Sequence, residues 1–363
     1  MPELGKRLRA GVIGASGIGR MHVDGLRRIG VEVTAVAGSS PESAAAQARR
    51  LGVPRACEDG FALAADEEVD VVHVCTPNAQ HEEQVLAAIE AGKHVVCEKP
   101  LTTSVESSRR LLAAAEAAGI VHGTAYTYRF FPAVTELRQA VAAGELGRVH
   151  LVRGAYLNQE LLSLDPGHWL LDPERVGPAL ILADTGVHLW DMVAHVIGEP
   201  VEAVVATRQT ARPAGGAGED SATAMLRFPS GAVASIVVSG AAPGHSNLLE
   251  IEVLGTERGA SWCQEDPDHL AIGGLDDRAE RVMRRPDRSP APDTLQLPPG
   301  HVHGYLDAFR DLMAAIYSAV PGGPFERPVA HPTFADGVAG IEVLAALLRS
   351  ADSGEWVTVD RSS

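Results

Sequence analysis

Residues 8–19 read LRAGVIGASGIG, and this stretch decides how the first part of the chain is interpreted. A short apolar run is followed at once by Gly14, Gly17 and Gly19, and then by an amphipathic segment. Small residues between a strand and a helix permit a tight turn whose backbone N–H groups can approach a pyrophosphate. The stretch is a variant of the pattern G-x-G-x-x-G with Ser16 at the middle glycine, and such turns also occur for purely structural reasons. We therefore predict a strand, a tight turn and a helix, with a dinucleotide site and a structural turn both left open.

The alternation of apolar runs and amphipathic segments continues from this stretch to about Thr124. The apolar runs are rich in Val and Ile on both faces, as expected for parallel strands that are covered by helices on both sides. We predict strands at 8–13, 31–37, 69–75, 95–97 and 120–124, and helices at 17–29, 41–51, 82–91 and 105–118. The first domain, residues 1–125, is therefore predicted to be an α/β domain with a doubly wound parallel sheet.

After about Val149 the pattern changes to longer strands in which apolar and polar residues alternate. We predict strands at 149–156, 201–210, 222–228, 232–239 and 248–254, and helices at 184–197 and 305–320. Few helical segments separate these strands, which favours a large, mostly antiparallel sheet in an α+β domain at residues 126–363. The proline-rich segment 266–300 is predicted to be a long loop or a ragged hairpin, and its role as a lid stays open.

Composition excludes several classes of function. The chain has 363 residues and a net charge of −16, and no basic stripe offsets that charge, so we expect no nucleic-acid partner. Its 4 cysteines show neither the C-x-x-C spacing of a zinc or redox site nor the density of a disulfide framework. No histidine, cysteine or carboxylate cluster outside the segment around Asp184 has ligand spacing, so we expect no metal. Without a long apolar run or an N-terminal signal segment, we expect a cytoplasmic protein with no membrane partner.

The end of the second predicted strand bears on the choice of cofactor. An enzyme that uses NAD usually places Asp or Glu there to bind the ribose 2′-OH, and this chain has Gly38, Ser39 and Ser40 instead. Two hydroxyls without an acid would permit a 2′-phosphate, yet the serines could equally cap the next helix. The choice between NAD and NADP therefore stays open.

Three further motifs carry candidate chemistry. Residues 75–81 (CTPNAQH) and 97–100 (CEKP) follow two predicted strands at the sheet edge where doubly wound folds bind ligands. In residues 184–191 (DTGVHLWD), Asp184 and His188 are spaced i,i+4 and Asp191 follows three residues later, which predicts one shared helix face. A carboxylate beside an imidazole raises its basicity, as a proton acceptor near neutral pH requires.

Taken together, these motifs resemble the Gfo/Idh/MocA family, the glucose-fructose oxidoreductase and inositol dehydrogenase group. The resemblance covers nearly the whole chain, including the segments 128–130 (YRF), 300–305 (GHVHGY) and 332–337 (PTFADG). It implies a Rossmann domain, a second domain with an open sheet, and hydride transfer between NAD or NADP and a ring secondary alcohol of a sugar, glycoside or cyclitol. It also implies a homo-oligomer, a dimer or tetramer formed through the outer face of the second sheet.

The resemblance assigns roles residue by residue. It implies that Lys99, Asp184 and His188 are catalytic. Cofactor contacts are expected from Gly14, Ala15, Ser16, Gly17, Ile18, Gly19, Gly38, Ser39, Ser40, Thr76, Pro77, Asn78, His81, Glu98 and Lys99. Substrate contacts are expected from Lys99, Tyr128, Trp169, Asp184, His188 and His301. Many relatives have Trp-Arg where this chain has Trp169 and Leu170, which leaves the detailed substrate open.

Some of these residues could have structural roles instead, and the chain could have one of two other functions. Trp169 could belong to the core of its loop, His301 could cap a helix, and His22, His94 and His122 are expected to be structural. A second enzyme class would oxidise a sugar transiently with bound cofactor, to permit elimination or epimerisation. A third reading is a regulator that senses the cofactor, although a sensor has no need of a proton acceptor.

Overall fold

The N-terminal part of the chain forms one parallel sheet covered by helices, as predicted. The computed structural model describes residues 8–212, 218–276, 280–283, 291, 294, 296–298 and 300–361. The strands of this sheet are β1 (Arg9–Ile13), β2 (Glu32–Ala37), β3 (Arg55–Ala56), β4 (Val71–Val74), β5 (His94–Cys97) and β6 (His122–Thr124). Their order is β3-β2-β1-β4-β5-β6, and every neighbouring pair is parallel. The chain reverses its direction of travel across the sheet between β1 and β4, the place where such folds bind ligands.

Local sequence explains where the helices of this part begin and end. They are α1 (Gly19–Arg28), α2 (Pro41–Leu51), α3 (Gly60–Ala64), α4 (His81–Glu90) and α5 (Val105–Ala118). Ser40, Asp59 and Ser104 cap α2, α3 and α5 through their side chains, and the left-handed glycines Gly52 and Gly119 end α2 and α5. Their apolar faces pack with the strands into a core that includes Val72, Val95 and Leu111.

The second sheet has nine strands and is mostly antiparallel, which confirms the predicted class. Its strands are β7 (Val149–Leu157), β8 (Ala203–Gln209), β9 (Ser221–Arg227), β10 (Val233–Ser239), β11 (Leu248–Gly255), β12 (Arg258–Cys263), β13 (His269–Gly274), β14 (Glu280–Met283) and β15 (Val357–Thr358). Their order is β14-β13-β12-β11-β7-β10-β9-β8-β15, and among these pairs β7 and β10 are parallel. Part of segment 266–300 thus forms the hairpin β13–β14, while residues 277–279, 284–290, 292, 293, 295 and 299 lie outside the described residues.

The remaining helices depart from the predictions in two ways. They are α6 (Pro132–Ala142), α7 (Pro173–Val176), α8 (Val187–Ile197), α9 (Tyr305–Ala319) and α10 (Phe334–Ser353). The prediction of one helix over 184–197 is wrong at its start, because residues Leu182–Gly186 form a π-helical turn before α8. Helices α6, α7 and α10 were not predicted.

Contacts divide the chain into two compact units. One unit contains the residues up to Phe130 together with residues 305–338, and most other residues belong to the second. The first unit thus includes a late segment that the predicted division at residues 125 and 126 assigned to the other domain. Within the described ranges, no helix is both long and apolar enough to cross a membrane.

Candidate active site

The glycine-rich turn lies between β1 and α1, packed against the end of β4. Gly14 has a φ of +81°, and a Cβ built on it would lie 2.6 Å from the carbonyl oxygen of Cys75. A Cβ on Gly19 would collide with the carbonyl of Gly14. By contrast, a Cβ on Gly17, whose φ is +46°, would meet no protein atom within 4 Å. The turn is therefore tight on its inner side and open on its outer side.

The N-terminus of α1 is suited to bind an anion. Ile18 at the N-cap provides no side-chain hydrogen bond, and the first turn contains no acidic residue. Ser16 is exposed, whereas the neighbouring Ala15 is buried. A helix N-terminus that is not closed by its own side chains attracts negative charge through its N–H groups and its dipole. The residues of this turn thus fit the pyrophosphate of a dinucleotide.

The two serines after β2 differ in their surroundings. Ser40 Oγ accepts a hydrogen bond from the backbone N–H of Ser43 at 3.2 Å, so this hydroxyl caps α2. Ser39 is exposed, and a Cβ on Gly38 would lie 2.8 Å from the backbone nitrogen of Ala44. The capping interpretation therefore describes Ser40, and Ser39 is the hydroxyl left open to a ligand.

His81 joins the two loops that follow β4 and β5. Its Nε2 lies 2.8 Å from the carbonyl oxygen of Thr76, and its Nδ1 lies 3.0 Å from that of Pro100. Burial lowers the pKa of this histidine, although the carbonyl contacts oppose that effect. In the first loop Thr76 Oγ1 donates to Gln84 at 2.8 Å, and Asn78 is buried. His81 thus positions the loops, and its own contact with a cofactor stays a prediction.

Glu98 and Lys99 stand at the carboxyl end of β5. The carboxylate of Glu98 is almost fully buried, and its Oε2 accepts a hydrogen bond from the backbone N–H of Lys99 at 3.0 Å. Its other oxygen, Oε1, lies 3.0 Å from Nε2 of His22 on α1. Lys99 is partly exposed and precedes Pro100 through a cis peptide bond. The carboxylate therefore ties the backbone of Lys99 to the helix that starts at the glycine turn.

The second unit holds the predicted acid/base pair. Asp184 is partly exposed in the π turn, and His188 in α8 is 6% exposed, with its ring centroid 6.4 Å from that of Tyr156. Residues 182–186 are π-helical, so Asp184 and His188 are not separated by one regular α-helical turn, as the i,i+4 spacing had predicted. Buried Glu219 accepts hydrogen bonds from the backbone N–H groups of Leu180 and Leu182 at 3.0 and 3.1 Å. This carboxylate caps the segment that carries Asp184 and His188.

The predicted substrate contacts have different surroundings. Trp169 is partly exposed in a short 3-10 turn, and Leu170 beside it is buried. Tyr128 is 3% exposed and meets Tyr305 edge to face at 5.8 Å. His301 is exposed before α9. The described side chains include no group of three His, Cys, Asp or Glu residues able to hold a metal ion.

Sequence reasoning did not single out two residues that belong to this site. His73 on β4 and Tyr317 on α9 continue the hydrogen bonding of His22 and Glu98 into the core of the first unit. The available signal was a histidine inside the otherwise apolar strand Val71–Val74.

Comparison with known proteins identifies the family. Residues 8–126 match the oxidoreductase family model with an NAD-binding Rossmann fold, and residues 134–261 match the GFO/IDH/MocA C-terminal domain. Levoglucosan dehydrogenase of Pseudarthrobacter phenanthrenivorans is 31% identical over 360 residues, covering 90% of this chain and 90% of that protein. Inositol 2-dehydrogenase of Rhodococcus erythropolis is 30% identical, covering 97% of this chain and 95% of that protein.

Solved structures agree with the sequence comparison. A levoglucosan dehydrogenase in complex with NADH and levoglucosan superposes with a TM-score of 0.89 at 29% identity, covering 98% of this chain and 100% of that one. The two-sheet architecture is thus that of a known group of structures. The chain belongs to the Gfo/Idh/MocA family and is an NAD(P)-dependent oxidoreductase that acts on CH–OH groups.

Proposed function

We propose that this chain transfers a hydride between NAD or NADP and a ring secondary alcohol of a sugar, glycoside or cyclitol. One observation carries the proposal. Lys99 follows β5 and the glycine turn follows β1, and β4 separates these two strands in the sheet. The carboxyl ends of parallel strands share one edge of a sheet, so an ammonium group and a pyrophosphate cradle stand at the same edge. This pairing suits an enzyme in which a polar substrate reacts beside a dinucleotide.

The proposed roles follow from the chemistry of each side chain. Lys99 donates a hydrogen bond to the reacting hydroxyl and stabilises the negative charge that develops on its oxygen. His188 accepts the hydroxyl proton, and the carboxylate of Asp184 raises the basicity of that imidazole. The nicotinamide ring, when bound, supplies the hydride acceptor.

The names of the relatives support a substrate class. They are described as acting on levoglucosan, an anhydrosugar, and on inositol, a cyclitol. We propose a ring polyol of this kind, with the partly exposed Trp169 as an apolar surface for the sugar ring. We also propose that the chain works as a homo-oligomer.

The test follows the absorbance of reduced nicotinamide while the protein meets NAD⁺ or NADP⁺ with a panel of inositols, aldoses, anhydrosugars and glycosides. Lys99→Met should lower turnover by at least about 100-fold, because it removes the charge that stabilises the oxygen, while cofactor binding is retained. Lys93→Met is the matched control, since Lys93 Nζ donates only to the backbone carbonyls of Asp66 and Val69 among the described residues. His188→Asn should cost about 100-fold or more if the histidine is the base.

Other outcomes would redirect the proposal. Equal turnover in wild type and Lys99→Met would refute the role of Lys99. Product formed with tightly bound cofactor and no net reduction would indicate transient oxidation. Cofactor binding without turnover of any panel member, together with a change in partner binding, would indicate a sensor.

A further inference from the structure

A continuous chain of hydrogen bonds runs through the core of the first unit and ends at Glu98. The hydroxyl of Tyr317 lies 2.8 Å from Nε2 of His73, and Nδ1 of His73 lies 2.7 Å from Nδ1 of His22. Nε2 of His22 lies 3.0 Å from Oε1 of Glu98. Tyr317, His73 and His22 are each 0% exposed, and Glu98 is 5% exposed. Four buried polar groups from α9, β4, α1 and the end of β5 thus form one line.

The protons in this chain can be placed from the contacts. Among the described residues, His73 is the hydrogen-bond partner of the Tyr317 hydroxyl. A buried hydroxyl that only accepted from His73 would leave its own proton without an acceptor, which is costly. Tyr317 must therefore donate to Nε2 of His73, so the proton of that ring is on Nδ1 and is donated to His22. His22 then carries its proton on Nε2 and donates it to Glu98.

With the protons placed in this way, each of the three donors has an acceptor, and the carboxylate of Glu98 is the last acceptor in the chain. Burial lowers the pKa of His73 well below its usual value, which keeps this ring neutral, and burial raises the pKa of Tyr317 well above its usual value, which keeps the phenol protonated. Two aromatic rings pack against these histidines. Phe309 meets His22 edge to face at 4.9 Å, and Tyr317 stacks on His73 with an interplanar angle of 19°.

We propose that Tyr317, His73 and His22 form a one-way relay that orients the carboxylate of Glu98 and, through it, the backbone of Lys99. The three residues are positioning residues. The last of the three donors in series, Nε2–H of His22, holds Glu98 Oε1 in place, so that Oε2 stays directed at the backbone N–H of Lys99. The relay itself stands on the hydrogen bonds, whereas its effect on turnover rests on the function proposed for Lys99.

The first arm of the test reads the tautomers by ¹⁵N NMR of the histidine-labelled full chain at neutral pH. Signals of the two rings are assigned by their loss in His22→Asn and His73→Gln. We expect His22 to be protonated on Nε2 only and His73 on Nδ1 only. Tyr317→Phe should shift the signals of both rings, because the donor that fixes their direction is gone. A proton on Nδ1 of His22, or a doubly protonated His22, would overturn the relay.

Ser318→Ala is the matched control for this arm. Ser318 neighbours Tyr317 on α9 and is buried. Its hydroxyl donates to the carbonyl of Ala315 at 2.6 Å and accepts from the backbone N–H of Val329 at 2.8 Å. Its substitution also removes one buried hydroxyl from the same helix but leaves the relay intact. The histidine signals should therefore match those of wild type, and a shift as large as that of Tyr317→Phe would overturn the assignment to the relay.

The second arm compares kinetics on whichever panel substrate the wild type turns over. Tyr317→Phe should lower kcat about tenfold, the scale of one lost buried hydrogen bond, with KM for the cofactor unchanged, whereas Ser318→Ala keeps both values. An unchanged kcat beside the expected tautomers would overturn the positioning role. If no panel substrate reacts, the function proposed above fails, and the tautomers still decide whether the relay exists.

Discussion

His122 shows how a single buried side chain can make stability depend on pH. Its Nδ1 accepts a hydrogen bond from the backbone N–H of Phe334 at 3.0 Å, and the two rings lie 4.7 Å apart. Burial and the nearby His331 lower the pKa of His122 to about 4, while Asp336 opposes the shift. The unfolded chain therefore binds one more proton than the folded chain between about pH 6.5 and pH 4.

This difference gives a signed prediction. The free energy of unfolding should fall as pH decreases from about 6.5 to about 4, with at most about 1.4 kcal/mol per pH unit from this residue. His122→Asn keeps an acceptor but cannot titrate, so its unfolding free energy should fall less steeply. Urea denaturation of both proteins at pH 7.5, 6 and 4.5 measures the difference. Parallel slopes would contradict the assignment to His122.

At the residue scale, sequence reasoning identified contacts that are local in the chain. The Ser40 cap and the glycine turn depend on neighbours within a few residues, and such patterns are readable from sequence. The partners of His22 come from β4 and β5, 51 and 76 residues away. No local pattern encodes which buried histidine meets which carboxylate, so His22 was only expected to be structural.

At the scale of elements, the start of α8 depends on one distant carboxylate. Glu219 is 3% exposed and caps the π turn through the N–H groups of Leu180 and Leu182. Burial raises the pKa of Glu219, although these hydrogen bonds oppose the shift. A buried charge beside a helix start is thus held by two donors and the helix dipole.

Removing this cap should destabilise the segment that carries Asp184 and His188. Glu219→Ala leaves two buried N–H groups unpaired, and we expect a loss of about 2–3 kcal/mol in the free energy of unfolding. Glu219→Gln keeps an acceptor oxygen and removes the buried charge, so we expect a loss below about 1 kcal/mol. Chemical denaturation at pH 7 compares the two. Equal losses would show that the charge, rather than the acceptor, is what the segment needs.

The elements that were predicted well share strong local signals. Helices α2 and α5 have the predicted bounds, because serine N-caps and left-handed glycines mark both of their ends. The π turn was not predictable, because it replaces one turn of a helix whose apolar pattern is continuous. Helix α10 was missed because its alanine-rich sequence was interpreted only through the motif at its start.

At the scale of the whole molecule, the outer face of the nine-stranded sheet bears on assembly. Residues alternate between buried and exposed along β9 and β10, and helices α6 and α8 pack together, with α8 on β7. The register places Met225 opposite Ser235 and Leu151 opposite Val233, so these side chains share one face with Val237. Leu151, Met225 and Val237 are 38%, 42% and 40% exposed. An apolar strip in the middle of a sheet face is typical of a surface that another subunit covers.

The double variant Met225→Glu and Val237→Glu tests this surface. Two carboxylates on adjacent strands β9 and β10 would be buried without partners in an interface, at a cost of several kcal/mol. We expect wild type to sediment as a dimer or tetramer and the double variant as a monomer. Phe61→Glu is the control, because Phe61 is 46% exposed on α3 outside this sheet and its loss should leave the assembly intact. If both variants sediment like wild type, the strip is not the interface.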